Sequence, residues 1–300
     1  MTRKDTPPSA PAFAPPPVLE RAGDLLSRYD VLFCDVWGVL HNGHRAFTAA
    51  CDALHRFRAK GGTVILVSNA PTPKDNVARM LDACDVPRDV WDDLVASGDI
   101  ALHHIEEKGY SRVFCVGPRD RDRTTFKRVL GKAAKLNKAD AILCTGLNDD
   151  LTETADDYRP MLEEALALRL PLVCANPDLV VDVGGRHYIC AGAIADLYER
   201  MDGEVFWAGK PHASAYDTAH RTAAAIRGNA TPRKRVLVIG DSLRTDLKGA
   251  EAAGLDAIFV ASGIHRDETM GTKTLSADKL GVLFAPPAPP AIAVMPALAW

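Results

Sequence analysis

Two apolar segments, far apart in the sequence, each end at an aspartate. Residues 31–34 read Val-Leu-Phe-Cys before Asp35, and residues 236–239 read Val-Leu-Val-Ile before Gly240 and Asp241. Short apolar runs without polar alternation are typical of strands that are buried on both faces of a parallel sheet. Such sheets bind their ligands outside the carboxyl ends of the strands. The two segments therefore predict a parallel sheet with carboxylates gathered at one edge.

Strand-like and helix-like segments alternate along most of the chain. Further strands are predicted over 63–67, 112–116, 141–144, 171–174 and 257–261. Helices are predicted over 48–60, 74–84, 97–108, 154–168, 191–200, 214–227 and 245–253. This alternation predicts an α/β fold with a doubly wound, Rossmann-like parallel sheet.

The chain divides into a core, an insertion and two tails. The block 100–180 alternates between strands and helices by itself, which predicts an inserted second α/β domain within a core formed by 18–99 and 181–285. Residues 1–17 and 286–300 are rich in proline and alanine, and we expect a disordered tail at the amino end and a low-complexity tail at the carboxyl end.

Composition excludes several classes of function. The net charge is −3 and no basic stripe is present, which argues against nucleic acid as a partner. No apolar run reaches the roughly 20 residues of a membrane span. The seven cysteines form no Cys-x-x-Cys pair, which argues against a zinc site, and four of them lie in strand-like runs. Reduced, buried thiols of this kind predict a cytoplasmic protein.

Polar residues follow several of the presumed strands, and we expect them to converge at one edge of the sheet. They are Asp35, Ser68 with Asn69, Lys210, and Asp241 with Asp246. Three adjacent carboxylates repel one another unless a cation lies among them, and Mg²⁺ prefers such oxygen ligands. The lysine charge and the serine hydroxyl beside that ion would suit a phosphate group. A carboxylate, already deprotonated at neutral pH, can then attack phosphorus.

These residues resemble the haloacid dehalogenase superfamily, and within it the NagD-like class IIA phosphatases. The four signatures occur in order as Asp35-Val-Trp-Gly-Val-Leu40, Val67-Ser68-Asn69, Gly209-Lys210-Pro211 and Gly240-Asp241-Ser-Leu-Arg-Thr-Asp246. The resemblance covers residues 28–265, and Ala175-Asn176-Pro177-Asp178 also matches the pattern of the class. The inserted unit lies between the second and third signatures, where that class has a cap domain over the site.

The resemblance implies a metal site with Mg²⁺ as the cofactor. Asp35 would be both the nucleophile and a metal ligand, and Asp241 would be a second ligand. Asp246 would support or ligate the ion, and the backbone carbonyl of Trp37 would face it.

The resemblance also implies a phosphate site. Ser68 would donate a hydrogen bond to the phosphoryl group, and Lys210 would neutralise the nucleophile and the phosphate. We expect Asn69 and Asn176 to line the substrate site.

The chain departs from this pattern at Trp37. The resembling phosphatases carry a second aspartate there, which protonates the leaving oxygen and later activates water. An indole does neither, and general acid–base help is typically worth about 10²–10⁴ in rate. Another group could substitute, activity could be restricted to good leaving groups, or turnover could be slow. His41 is the nearest titratable candidate, although a surface histidine is the simpler interpretation.

The sequence thus predicts a Mg²⁺-dependent phosphatase that acts on a small phosphorylated metabolite through an aspartyl-phosphate on Asp35. One alternative is a weak or inactive protein that binds a phosphorylated metabolite, because of Trp37. A second alternative is a dehalogenase-like hydrolase that attacks carbon, which the lysine and carboxylate signatures disfavour. A homodimer is expected only because caps in this class often pair subunits. The sequence does not identify the substrate.

Overall fold

The computed structural model describes residues 14–183, 186–271 and 274–300. In these ranges the strands are β1 Val31–Cys34, β2 Thr63–Ser68, β3 Asp93–Ala96, β4 Val113–Val116, β5 Ala141–Cys144, β6 Leu172–Cys174, β7 Val180–Val183, β8 Arg186–Ile189, β9 Val205–Trp207, β10 Val236–Gly240, β11 Asp256–Val260 and β12 Ala293–Met295. The helices are α1 Gly23–Leu26, α2 Thr48–Ala59, α3 Lys74–Ala83, α4 Ser97–Glu107, α5 Arg123–Arg128, α6 Arg159–Ala167, α7 Ala191–Arg200, α8 Ala213–Arg227, α9 Lys248–Ala253, α10 Arg266–Thr269 and α11 Ala277–Leu283.

The larger sheet has six parallel strands in the order β12-β11-β10-β1-β2-β3. β1 lies in its centre and is almost completely buried, because apolar groups cover both faces. Leu32 and Cys34 pack into a cluster with residues of α2 and α3, whereas Val31 and Phe33 pack into another with residues of α8 and α9. An unbroken apolar run suits a strand covered on both sides. The predicted fold class, a doubly wound parallel sheet with a second α/β unit, is confirmed.

The second sheet has four parallel strands in the order β4-β5-β6-β9. It extends to Trp207, so the predicted end of the inserted unit at residue 180 is too early. The reason is packing: Ile194 and Tyr198 of α7 lie in the same apolar cluster as Ile142 of β5. The hydroxyl of Tyr198 also donates to the carbonyl oxygen of Leu170 at 2.7 Å.

The carboxyl end of the chain belongs to the core. β12 pairs in parallel with β11, and its three residues are fully buried. The backbone N–H of Val294 donates to the carbonyl oxygen of Pro17 at 2.9 Å, so the two predicted tails contact each other. The prediction of a low-complexity tail over 286–300 is therefore wrong for this strand, because Ala-Val-Met fills the sheet edge despite the proline-rich surroundings. Residues 1–13 of the predicted amino-terminal tail lie outside the described residues.

Two further features of the fold concern its helices and its cysteines. Within the described ranges no helix has the length and apolar character that crossing a bilayer requires. All seven cysteines are free and buried.

The packing of β12 gives a test of its place in the core. Replacing buried Met295 by alanine leaves a cavity in the apolar cluster around β1, and we expect the free energy of unfolding to fall by about 2–5 kcal/mol. The matched control Val282→Ala, on a side chain that is 79% exposed, should change it by less than about 0.5 kcal/mol. Denaturant unfolding measures both. Equal effects of the two substitutions would show that the segment is a tail.

Candidate active site

Strand ends position most of the predicted site residues. Asp35 directly follows β1, Ser68 is the last residue of β2, and Asp241 directly follows β10. These three strands are neighbours in the larger sheet, so their carboxyl ends lie side by side. Lys210 comes from the loop after β9, and Asp246 comes from a π-helical turn, Leu243–Leu247, that leads into α9.

Three carboxylates and one ammonium group meet at this edge. The carboxylates of Asp35, Asp241 and Asp246 each offer an oxygen atom, and these atoms lie within 4.8 Å of one another. Lys210 Nζ donates to Asp35 Oδ1 at 2.5 Å and to Asp246 Oδ1 at 2.7 Å. The backbone N–H of Ile264 donates to Asp241 Oδ2 at 2.8 Å. The structure thus places the four predicted residues in one cluster.

Two glycines let the backbone approach the carboxylate of Asp241 closely. Gly38 has a φ of +78°, and a Cβ at this position would lie 2.1 Å from Asp241 Oδ2. At Gly263 a Cβ would lie 1.6 Å from the same atom. Any side chain at either position would displace this carboxylate, which gives the Trp-Gly pair of the first signature a packing reason.

Burial raises the pKa of each carboxyl group in the cluster. The pKa of Asp241 lies well above its usual value because of burial and the nearby negative charges of Asp35 and Asp246. Burial raises the pKa of Asp246 to about 6, although the Lys210 ammonium lowers it. Burial also raises the pKa of Asp35, which the Lys210 ammonium likewise lowers. Burial alone would lower the pKa of Lys210, but Asp246 and Asp35 outweigh it and raise that pKa.

The donor set fits a hard divalent cation. All three side chains offer carboxylate oxygens, which are the ligands that Mg²⁺ prefers. One lysine charge balances only part of the negative charge of three carboxylates, and burial together with the negative charges of Asp35 and Asp246 raises the pKa of Asp241. A divalent cation among them would favour their ionised forms.

Asn69 holds the loop that carries Lys210 against the end of β2. The backbone N–H of Lys210 donates to Asn69 Oδ1 at 2.8 Å, and Asn69 Nδ2 donates to the carbonyl oxygen of Lys210 at 3.1 Å. The same amide nitrogen donates to Asp178 Oδ1 at 2.9 Å. The side chain of Asn69, which we expected to bind substrate, therefore has its polar atoms engaged within the protein.

A cavity of about 1040 Å³ opens over the cluster. The predicted site residues that line it are Asp35, Trp37, Ser68, Asn69, Asn176, Lys210 and Asp241. Asp246 is not among the described lining residues and lies behind Lys210, to which it is bonded. Asn176 Oδ1 accepts a hydrogen bond from the backbone N–H of Asp178 at 3.1 Å, which shapes the crossover from β6.

An antiparallel hairpin, β7–β8, forms one wall of the cavity. The strands predicted from the sequence do not include this hairpin. Asp182 lies opposite His187 in the register of this hairpin, and both residues line the cavity. The indole N–H of Trp37 donates to the carbonyl oxygen of Asp182 at 2.8 Å, which ties the hairpin to the loop after β1. The signal in the sequence was the Gly184-Gly185 pair between two β-prone runs, although these two glycines lie outside the described residues.

His41 is buried rather than exposed, contrary to the simpler interpretation of the sequence. The backbone N–H of Gly43 donates to His41 Nδ1 at 2.9 Å, and the imidazole packs edge-on against Trp37 with ring centroids 4.9 Å apart. Burial lowers the pKa of His41 to about 4, and the residue is not among the described ones that line the cavity. The structure therefore disfavours His41 as the group that replaces the missing aspartate.

Comparisons with known proteins find that two separate parts of the chain match models of protein families. The family described as haloacid dehalogenase-like hydrolase matches residues 32–129, and the family described as HAD-hydrolase-like matches residues 207–282. A solved structure from Brucella suis 1330, a hydrolase of the haloacid dehalogenase-like family, is 39% identical with a TM-score of 0.82. The match covers 94% of this chain and 100% of that one.

Two functionally named relatives are more distant. Ribonucleotide monophosphatase NagD of Escherichia coli K12 is 28% identical over 247 residues, which cover 78% of this chain and 88% of NagD. The 5'-nucleotidase YutF of Bacillus subtilis 168 is 22% identical over 250 residues, which cover 82% of this chain and 92% of YutF.

The buried imidazole of His41 predicts a specific pH dependence of stability. Its pKa is lowered from 6.5 to about 4, so the unfolded chain binds the proton more tightly. The stabilisation from a neutral His41 is complete above pH 6.5 and is lost as the pH falls to about 4. The free energy of unfolding should therefore fall by about 3 kcal/mol over this range.

The measurement is the free energy of unfolding of the protein and of the variant His41→Asn, determined between pH 7 and pH 4. The variant should lose less stability than the parent over this interval. His103→Asn, on a side chain that is 68% exposed, is the control and should follow the parent. Parallel curves for the parent and His41→Asn would contradict the burial of an uncharged imidazole.

Proposed function

We propose that this chain, which belongs to the haloacid dehalogenase-like hydrolases and to their NagD-like class IIA, is a phosphatase for a small phosphorylated metabolite. In this proposal Asp35 attacks the phosphorus atom and forms an aspartyl-phosphate, which water then hydrolyses. Relatives named as a ribonucleotide monophosphatase, a 5'-nucleotidase and a D-glycerol 3-phosphate phosphatase support the reaction class.

A single observation carries the proposal: Lys210 Nζ bridges Asp35 and Asp246 beside Asp241. Burial raises the pKa of Asp35, and the ammonium opposes this effect, so it favours the ionised carboxylate that a nucleophile requires. The same positive charge lies where a phosphoryl group would approach Asp35, so it also offsets the charge of the transition state.

Ser68 and the segment that follows it would contact the phosphoryl group. Ser68 Oγ accepts a hydrogen bond from the backbone N–H of Ala70 at 3.2 Å, which leaves the hydroxyl proton free to point into the cavity. Asn69 acts indirectly in this scheme, because its amide fixes the backbone of Lys210. Asn176 lines the same cavity, where it would meet the remainder of the substrate.

The cofactor in this proposal is Mg²⁺. Asp35 and Asp241 would ligate the ion, Asp246 would support it, and the backbone carbonyl of Trp37 would face it. When bound, Mg²⁺ offsets the negative charge of the phosphoryl oxygens during transfer. The clustering of the carboxylates and the raised pKa of Asp241 support this assignment.

A second candidate function is a quiet binding protein that uses the same pocket without efficient turnover. The observation that favours it is the hydrogen bond of Trp37 to Asp182, which gives the residue a structural contact in place of acid–base chemistry. A carbon-attacking hydrolase is less consistent with the cluster, because such an enzyme needs no metal. A homodimer and a cytoplasmic location stay predictions from the sequence.

Removing the nucleophile tests the reaction. The full chain with Mg²⁺ should release phosphate from some members of a panel of phosphomonoesters, and Asp35→Asn should lower every rate by several orders of magnitude. Asp52→Asn, on the surface of α2, is the matched control and should leave the rates unchanged. Equal rates in the parent and Asp35→Asn would exclude the aspartyl-phosphate, and a parent that binds esters without hydrolysis would favour the quiet binder.

Removing the metal tests the cofactor. EDTA should abolish phosphate release, and added Mg²⁺ should restore it and raise the melting temperature, because the ion binds only the folded site. Asp241→Asn should weaken Mg²⁺ binding by more than about 10-fold in a calorimetric titration. Asp267→Asn, which changes a residue that lines the cavity outside the carboxylate cluster, should bind Mg²⁺ as the parent does. Undiminished phosphate release in EDTA would exclude Mg²⁺ as the cofactor of this reaction.

A further inference from the structure

We propose that the site is built for phosphate esters whose departing group is an apolar, planar alcohol of low basicity, such as a phenol or an enol. The inference rests on the phosphatase function proposed above and specifies its substrate class. Two independent observations carry it: the side chain of Trp37 and the apolar wall of the cavity.

The first observation concerns the oxygen atom that leaves phosphorus. Trp37 lies two residues after Asp35, and its indole N–H already donates to the carbonyl oxygen of Asp182 at 2.8 Å. An indole has no further polar hydrogen and accepts no proton. General acid help is worth about 10²–10⁴ in rate, so a strongly basic alkoxide would leave slowly here. A phenolate or enolate leaves without a proton.

Other acidic and imidazole groups reach the cavity from elsewhere in the fold. They are Asp178, Asp182, His187, His265 and Asp267. All five belong to the crossover after β6, the β7–β8 hairpin or the segment after β11, rather than to the loop after β1. His187 is 72% exposed and faces Asp182 at 3.5 Å between Nε2 and Oδ2. It is the alternative proton donor that an experiment must exclude.

The second observation is the composition of the cavity wall. Besides Trp37, the apolar residues that line the cavity include Phe47, Val180, Val181, Ile264 and Met270. The volume of about 1040 Å³ is far larger than a phosphate group needs. An aromatic or other planar apolar body would bury its surface against this wall, which contributes binding energy without any proton transfer.

The chemistry balances without a general acid. A carboxylate oxygen of Asp35 forms a bond to phosphorus while the bond from phosphorus to the departing oxygen breaks, and that electron pair leaves with the oxyanion. The oxygen of a water molecule then bonds to phosphorus, the bond to Asp35 breaks, and its electron pair returns to the carboxylate. Water leaves one hydrogen on the phosphate product and releases one proton to solvent. Trp37 does not accept that proton, so hydrolysis of the aspartyl-phosphate is the slower step for good leaving groups.

The test uses the full chain with Mg²⁺ and a series of substituted phenyl phosphates, together with benzyl phosphate as an alkyl ester of similar size. We expect kcat/KM to fall by roughly tenfold for each unit by which the pKa of the departing alcohol rises. With the best phenyl ester, rapid mixing should show a burst of one phenolate per site before steady turnover. A kcat/KM that hardly changes along the series would overturn the proposal, because it would show that a proton donor serves the leaving oxygen.

Two substitutions at Trp37 separate proton transfer from the attachment of the hairpin. Trp37→Phe and Trp37→Asp both lose the hydrogen bond to Asp182, but only the aspartate can donate a proton. Trp37→Asp should exceed Trp37→Phe by about 10²–10⁴ in kcat/KM for benzyl phosphate and should flatten the series. His187→Asn should keep the slope of the parent. Equal slopes for the two Trp37 variants, or a steeper slope in His187→Asn, would contradict the proposal.

The outcomes distinguish the substrate class from the reaction itself. If no ester is hydrolysed, the proposed phosphatase function is wrong. If aryl and alkyl esters are hydrolysed at similar rates, the phosphatase function stands and only the inferred substrate class is wrong.

Discussion

The buried ammonium of Lys210 is the interaction on which the rest of the site depends. Two strand ends and a π-helical turn bring three carboxylates together, and burial opposes the ionisation of each of them. The bonds from Lys210 to Asp35 and Asp246 offset part of this cost, and the pair of bonds to Asn69 fixes the lysine backbone. Because Lys210 follows β9, the last strand of the second sheet, the position of this one charge depends on both sheets.

Trp37 provides a second connection between the two parts of the fold. Its indole N–H donates to the backbone of the β7–β8 hairpin, and its ring packs against His41, a buried residue of the same loop after β1. The residue that occupies the place of an acid thus has a structural contact and faces the cavity with an apolar surface. Chemistry and architecture are coupled here, because restoring a carboxylate at position 37 would remove the attachment of the hairpin.

The sequence predicted the parts of the fold that depend on local pattern. β1 and β10 are short, unbroken apolar runs buried on both faces, and the parallel arrangement of such runs is enough to predict that Asp35 lies beside Asp241. The final strand, β12, was hidden by its proline-rich neighbours, and three-residue β9 is too short to show a pattern. The burial of His41 and the bond from Trp37 to the hairpin depend on contacts between distant segments. No periodicity in the sequence encodes such contacts.

The central claim is that the carboxylate of Asp35 is the group that takes up phosphate. The most direct measurement is peptide mass spectrometry of the full chain, quenched in acid soon after mixing with Mg²⁺ and a phenyl phosphate. The account predicts one phosphoryl group on the peptide that contains Asp35, and none on that peptide in Asp35→Asn. Rapid release of phenolate with no phosphoryl group on this peptide, or with the group on another residue, would contradict it.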